Sequence, residues 1–167
     1  SSATSASDPP TATSSSAAAA APAKPVPDMK TRIGAELAGR NVQNAFWLAL
    51  NAEDHGIVKW TCSQISPDKV VGTVDQLVLL SLIQQLGINV MDDTKEKLHW
   101  LQECAVGLNI SDAQISVHIP SVFDSVGRTL EANSSQFVKS DHPLRGQYQL
   151  VQHLFKSTAM LVQQNKQ

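Results

Sequence analysis

The side chains that could do chemistry are few, and they are scattered. Five histidines occur, His55, His99, His118, His142 and His153. None stands at ligand spacing from a second His or a Cys, as a zinc site would need. His99 and Glu103 are four residues apart on a predicted helix, so they could share a metal or pass a proton. A hydrogen-bonded pair on the polar helix face explains them as well. The neighbouring carboxylates of Asp92 and Asp93 fall at a predicted helix start, where they would cap it and complement its dipole. Cys62 and Cys104 fall on apolar helical faces and read as buried free thiols of a reducing compartment. There is no Gly-rich phosphate loop, nucleophile elbow or Cys-His signature. Asn109-Ile110-Ser111 and Asn133-Ser134-Ser135 match the glycosylation pattern, a match common by chance. The chain reads as a non-enzyme with no catalytic residue, no metal ligand and no cofactor.

Residues suited to recognition stand out more. Trp60 and Trp100 both lie off the core stripe of their predicted helices, and Trp47 sits beside one. An aromatic ring off the core face can anchor a partner, or it can fill a second helix interface. Leu77 interrupts a polar stripe made of Ser81, Gln84 and Gln85. An exposed Trp60 and Leu77 on neighbouring helices, rimmed by Lys59 and Gln84, would form an aromatic-centred patch with a polar border. The candidate partner-binding residues are therefore Lys59, Trp60, Leu77, Gln84 and Trp100.

Helical periodicity supplies the elements that must position them. Asp28 caps a first helix to about Gly39, with Ile33 and Leu37 as its apolar pair. Asn41 caps a second, carrying Val42, Ala45, Phe46, Ala49 and Leu50 on one face. Asp54 caps a third through Ile57, Val58, Thr61, Cys62 and Ile65. Ser66-Pro67-Asp68 breaks the pattern. Thr73 and Gln76 read as the capping box of a fourth helix that ends at Gly87. Val78, Leu79, Leu80, Leu82, Ile83 and Leu86 cover most of that helix, so it should be central and contacted on several sides. Asp93 and Glu96 start a fifth helix through Leu98, Leu101, Cys104, Ala105 and Leu108. Ser111 to Gln114 starts a sixth, with Ile115, Ile119, Val122, Phe123, Val126 and Leu130 on one side and a kink at Pro120. Residues 132–143 read as a polar loop. The last helix spans about 144–164, with Tyr148, Val151, Leu154, Phe155, Thr158, Leu161 and Val162 inward. Lys69-Val70-Val71 is the only β-branched cluster, so strands are not expected.

The first 27 of the 167 residues are different in kind: 24 are Ser, Thr, Ala or Pro. Such a stretch cannot offset the entropy of ordering its backbone, and it reads as a disordered linker. Its composition and the initial Ser1 suggest a fragment of a larger parent. Residues 28–167 read as one all-helical interaction domain, large enough to bury a core without disulfide or metal. With Lys24 and Asp8 removed, 13 − 1 = 12 basic and 15 − 1 = 14 acidic residues remain there, dispersed along the chain. No basic block favours nucleic acid, and no apolar run approaches the roughly 20 residues that span a bilayer.

Three stretches carry a family likeness: Asn44-Ala45-Phe46-Trp47-Leu48-Ala49-Leu50, Ile57 to Ile65, and Leu77-Val78-Leu79-Leu80-Ser81-Leu82-Ile83-Gln84-Gln85-Leu86. The chain resembles the C-terminal domain of the Varicose-type enhancers of mRNA decapping. The likeness continues through Lys97 to Leu101 and Ser111-Asp112, and covers roughly residues 28–165. It implies an all-α fold of about seven helices in an α-α superhelix of the armadillo or HEAT type. It also implies a non-catalytic scaffold in cytoplasmic processing bodies, with the decapping enzyme and its activators as partners. The residues alone leave two alternatives open: a direct RNA-binding helical repeat, disfavoured by the dispersed charge, and a structural oligomerisation domain that self-associates.

Overall fold

The computed structural model describes residues 28–139 and 141–165; the Ser/Ala/Pro-rich tail at 1–27 lies outside the described residues. These residues form eight α-helices and one 3-10 turn, with no strand among them. They are α1 (Met29–Ala38), α2 (Val42–Asn51), α3 (His55–Gln64), α4 (Pro67–Val71), α5 (Gln76–Ile88), α6 (Thr94–Gly107), α7 (Ile119–Ala132) and α8 (Arg145–Asn165), with the 3-10 turn at Ser134–Gln136.

Local signals fix the first three helices. The Asp28 carboxylate accepts from the Thr31 amide at 2.7 Å, and that bond holds its pKa below the usual carboxylate value. Arg40 then turns the chain in the left-handed region (φ 63°), closing α1 with Arg40 N–H to Leu37 and Asn41 N–H to Glu36. This is the bond pattern usually built on glycine. The Asn41 side chain does not cap α2; its amide donates to Glu36 instead, at 2.8 Å. The Asp54 carboxylate caps α3 through the Gly56 amide at 2.8 Å.

The expected break at Ser66-Pro67-Asp68 is instead the start of the short helix α4. Pro67 occupies its first turn, where a missing N–H costs nothing, and Pro67 and Val70 are buried. The expected Thr73–Gln76 box does not form. Asp75 caps α5 by accepting from Val78 N–H at 2.9 Å, while the Thr73 hydroxyl donates to the Lys69 carbonyl. The Gln76 side chain is taken by the Asn109 amide, 33 residues away. Asp93, expected to cap α6, sits there with φ 53° and makes no capping bond; its carboxylate reaches Lys59. Helix α7 begins at Ile119 rather than Ser111. The Asp112 carboxylate closes a turn onto Gln114 N–H, and Pro120 lies in the first turn of α7, so it introduces no mid-helix kink.

Successive helices stack into layers: α1 on α2 and α3, α5 on α6, α7 on α8. Helix α5 touches α2, α3, α6 and α7, the central position its apolar circumference requires. Its Gly87 lets α7 approach closely, since a Cβ there would lie 2.6 Å from a Val126 methyl. Beyond α7, the stretch expected to be a polar loop carries a buried anchor: Phe137 stacks on Tyr148 at 4.6 Å between centroids. The Tyr148 hydroxyl donates to the Leu130 carbonyl, tying α8 to α7, and Phe123 stacks on Phe155 at 4.7 Å.

Candidate partner-binding site

Helix α3 borders α1 on one side and faces α6 on another, and clefts open along both. A cleft of about 600 Å³ lies between α3 and α6. Cys62, Ile65, Pro67, Leu86 and Trp100 provide its apolar lining, and Lys59, Asp93, Glu96, Lys97 and His99 its charged or polar lining. A second, of about 520 Å³, runs beside α1 and includes Lys30, Leu37 and Trp60. A third, of about 650 Å³, is lined by Leu37, Arg40, Val42, Ile65, Ser66 and Lys69 among others. Gln64, the last residue of α3, lines all three, so they converge where α3 ends.

The electrostatics of the α3–α6 cleft are internally balanced. Lys59 Nζ bridges Asp92 at 3.1 Å and Asp93 at 2.5 Å. The Asp93 hydrogen bond, and next the Asp92 one, raise the lysine pKa, and the same contact with Lys59 lowers that of Asp93. Both partners are exposed, so water screens the pair and its contribution to stability is small. Lys97 is the unusual cation: it is 7% exposed and donates to the Asn89 carbonyl at 2.5 Å. Burial lowers its pKa, partly opposed by the nearby Asp92.

Thr61 and Ser63 donate to the backbone carbonyls of Ile57 and Trp60. Burial pushes the Cys62 thiol up, and that of Cys104 up to about 12, so both stay protonated and weakly nucleophilic. Among the described residues no group of three His, Cys, Asp or Glu side chains could hold a metal ion.

The sequence-predicted patch is only partly assembled. Lys59 lines the α3–α6 cleft and Trp60 the adjacent one, where Lys30 Nζ lies 5.7 Å from the centre of its ring. Leu77 and Gln84 are exposed on α5 and line none of the three clefts. Trp100, expected off the core face, is instead a core residue, 2% exposed and packed on Phe46 at 5.9 Å, with only an edge lining the α3–α6 cleft. Helix α6 buries two faces in the stack, so a residue off one stripe enters another interface. Trp60 is itself half-buried against the core. Gln64, Ile65, Arg40 and Lys69, which the sequence does not single out as site residues, come together in cleft walls only where α1, α2, α3 and α4 meet. Trp47, beside the core stripe of α2 as its spacing indicates, is 50% exposed.

Fold and site together define an all-helical domain of stacked helices with converging surface clefts. A family model described as "Enhancer of mRNA-decapping protein 4, C-terminal" matches residues 33–154, and the chain belongs to that family. The enhancer of mRNA-decapping protein 4 homolog of Drosophila melanogaster is 31% identical over 140 residues, covering 81% of this chain and 10% of that protein. The human enhancer of mRNA-decapping protein 4 is 36% identical over 94 residues, 54% of this chain and 7% of that protein. The chain thus spans about a tenth or less of the curated relatives it matches. The crystal structure of the conserved C-terminal region of Ge-1 superposes with a TM-score of 0.68 at 26% identity, covering 78% of this chain and 98% of that one.

Proposed function

We propose that this domain is a non-catalytic scaffold module that promotes mRNA decapping by binding the decapping enzyme and its activators. Its setting in this reading is the cytoplasmic processing body. Membership in the decapping-enhancer family supports the process, and the dispersed charge supports protein partners over RNA. The observation that carries the binding role is the convergence of three clefts on Gln64. Grooves of this size suit short peptide segments better than a flat protein face. The test is size-exclusion co-elution of the chain with purified decapping enzyme and with each activator. Gln64→Arg adds bulk to all three clefts at an exposed position, so it should weaken capture at least tenfold and leave the melting temperature within about a degree. No co-elution by the parent chain, or full capture by Gln64→Arg, would overturn this reading.

Self-association is a second reading, favoured by the exposed Leu150, Met160 and Leu161 of α8. Sedimentation equilibrium tests it: a monomer at tens of micromolar rules it out.

A further inference from the structure

We infer that the groove between α1, α2 and α4 is the docking site for an acidic peptide segment, one that presents an apolar side chain beside a carboxylate. The inference rests on the protein-binding reading above and names the chemistry of one of its clefts. The floor is apolar, with Leu37, Val42 and Ile65 half-buried. Two cations line it from different elements: Arg40 from the turn between α1 and α2, Lys69 from α4. No carboxylate lines it.

Among the described residues the ion pairs are those of Lys59 with Asp92 and Asp93 and of Arg128 with Asp124. Arg40 and Lys69 are thus without a carboxylate partner there, and both are exposed. The α3–α6 cleft differs, since its Lys59 and Lys97 face Asp93 and Glu96. Two unneutralised cations over an apolar floor complement a ligand that is anionic and apolar together. The guanidinium adds direction, because it can grip a carboxylate through two parallel hydrogen bonds.

The backbone of Arg40 lies in the left-handed region, as do those of Glu53 and Asp93. Its φ of 63° is a conformation open to glycine and costly to any residue with a Cβ. Glycine would close α1 with the same bonds, so the arginine side chain is held there against a local cost. Single-stranded RNA fits the groove poorly, for it tracks a longer run of cations and stacks its bases on aromatic rings. No aromatic residue lines this groove.

The test uses the full 167-residue chain and a fluorescein-labelled dodecapeptide of leucines and glutamates, with counterparts carrying Gln or Lys in place of Glu, and a 12-nucleotide oligouridine. Fluorescence anisotropy should show the Glu peptide binding at least tenfold tighter than the Gln peptide. NMR shifts should cluster at Leu37, Arg40, Val42, Ile65 and Lys69. Arg40→Gln with Lys69→Gln should weaken the Glu peptide at least tenfold with an unchanged melting temperature, and Arg40→Glu with Lys69→Glu should come to prefer the Lys peptide. Equal binding of the Glu and Gln peptides, shifts confined to other clefts, or tighter binding of oligouridine would each overturn the inference. The probe contains no decapping factor, so its success or failure is separable from that of the co-elution test.

Discussion

Helices α5 and α8 are both rich in apolar residues, yet the fold uses them differently. In α5, Val78, Leu79, Leu80, Leu82, Ile83 and Leu86 are all buried, because four other helices surround it. In α8, the longest helix at 21 residues, Tyr148, Val151, Phe155 and Val162 are buried while Leu150, Met160 and Leu161 stay about half exposed. Leu161, expected to face inward, is among the exposed ones. Position in the stack, rather than length or apolar content, decides which leucines stabilise the domain. An end helix has neighbours on one side only and keeps its second face for water or a partner.

The sharpest test of this contrast is a matched pair of truncations. Leu82→Ala should destabilise the domain by about 2–5 kcal/mol through lost burial and a cavity. Leu161→Ala should cost less than about 0.5 kcal/mol. Urea melts that give the two variants similar costs would show that α5 and α8 are equivalent and the layered reading is wrong.

Glycines sharpen it further. In α5, three atoms of the buried Val126, both methyls and Cβ, lie within 3.3 Å of a Cβ built on Gly87. No rotamer of Val126 clears all of them, so Gly87→Ala should cost about 1–3 kcal/mol. In α8, a Cβ on Gly146 meets nothing within 4 Å. Gly146→Ala should therefore be neutral or gain up to about 1 kcal/mol of helix propensity, the opposite sign in the same melt.

Tyr148 is the polar tie between α8 and the rest. Burial pushes its pKa up to about 12 from an ordinary 10. The unfolded phenol then ionises first, so the Tyr148 contribution is fully present below pH 10 and is lost as pH rises toward 12, on top of the earlier loss from the buried Cys62 and Cys104 thiols. Tyr148→Phe should flatten that alkaline loss, and at pH 7 it should cost about 1 kcal/mol for the hydrogen bond to Leu130. Stability measured by urea melts from pH 9 to pH 11 checks both; an unchanged slope in the variant would assign the loss to other groups.

The smallest effect is expected at the other end of the chain. Residues 1–27 hold no apolar side chain larger than Val26, so their deletion should leave the thermal midpoint unchanged. A drop of several degrees would give the tail a packing role that its composition denies.

What the sequence could announce was local. Asp28 and Asp54 cap the helices they precede, and the near-continuous apolar run from Val78 to Leu86 marks the central helix without reference to anything distant. What it hid depends on contacts between remote residues. Gln76 leaves its expected capping role because Asn109 claims its side chain, and Asp93 does so because Lys59 does. Trp100 looked exposed from the periodicity of α6 alone, until Phe46 of α2 came to lie against it. Of the candidate site, Lys59 and Trp60 stood out in the sequence, and each lines a cleft. The convergence at Gln64 was not, since three surfaces meet there only after α1, α3 and α6 are placed.

The unequal surroundings of the three tryptophans give the domain built-in optical reporters. Trp100, 2% exposed and packed against Phe46 at the edge of the α3–α6 cleft, should emit at short wavelength and resist acrylamide, so its red shift follows loss of the core. Trp47 is open to water and should quench readily whether or not a cleft is filled. Trp60, with an ammonium near its ring, is the indole whose emission a peptide seated in the cleft beside α1 would change, whereas the groove lined by Arg40 and Lys69 holds no aromatic reporter. Unfolding and occupancy can then be followed in one unlabelled sample, at different wavelengths of the same spectrum.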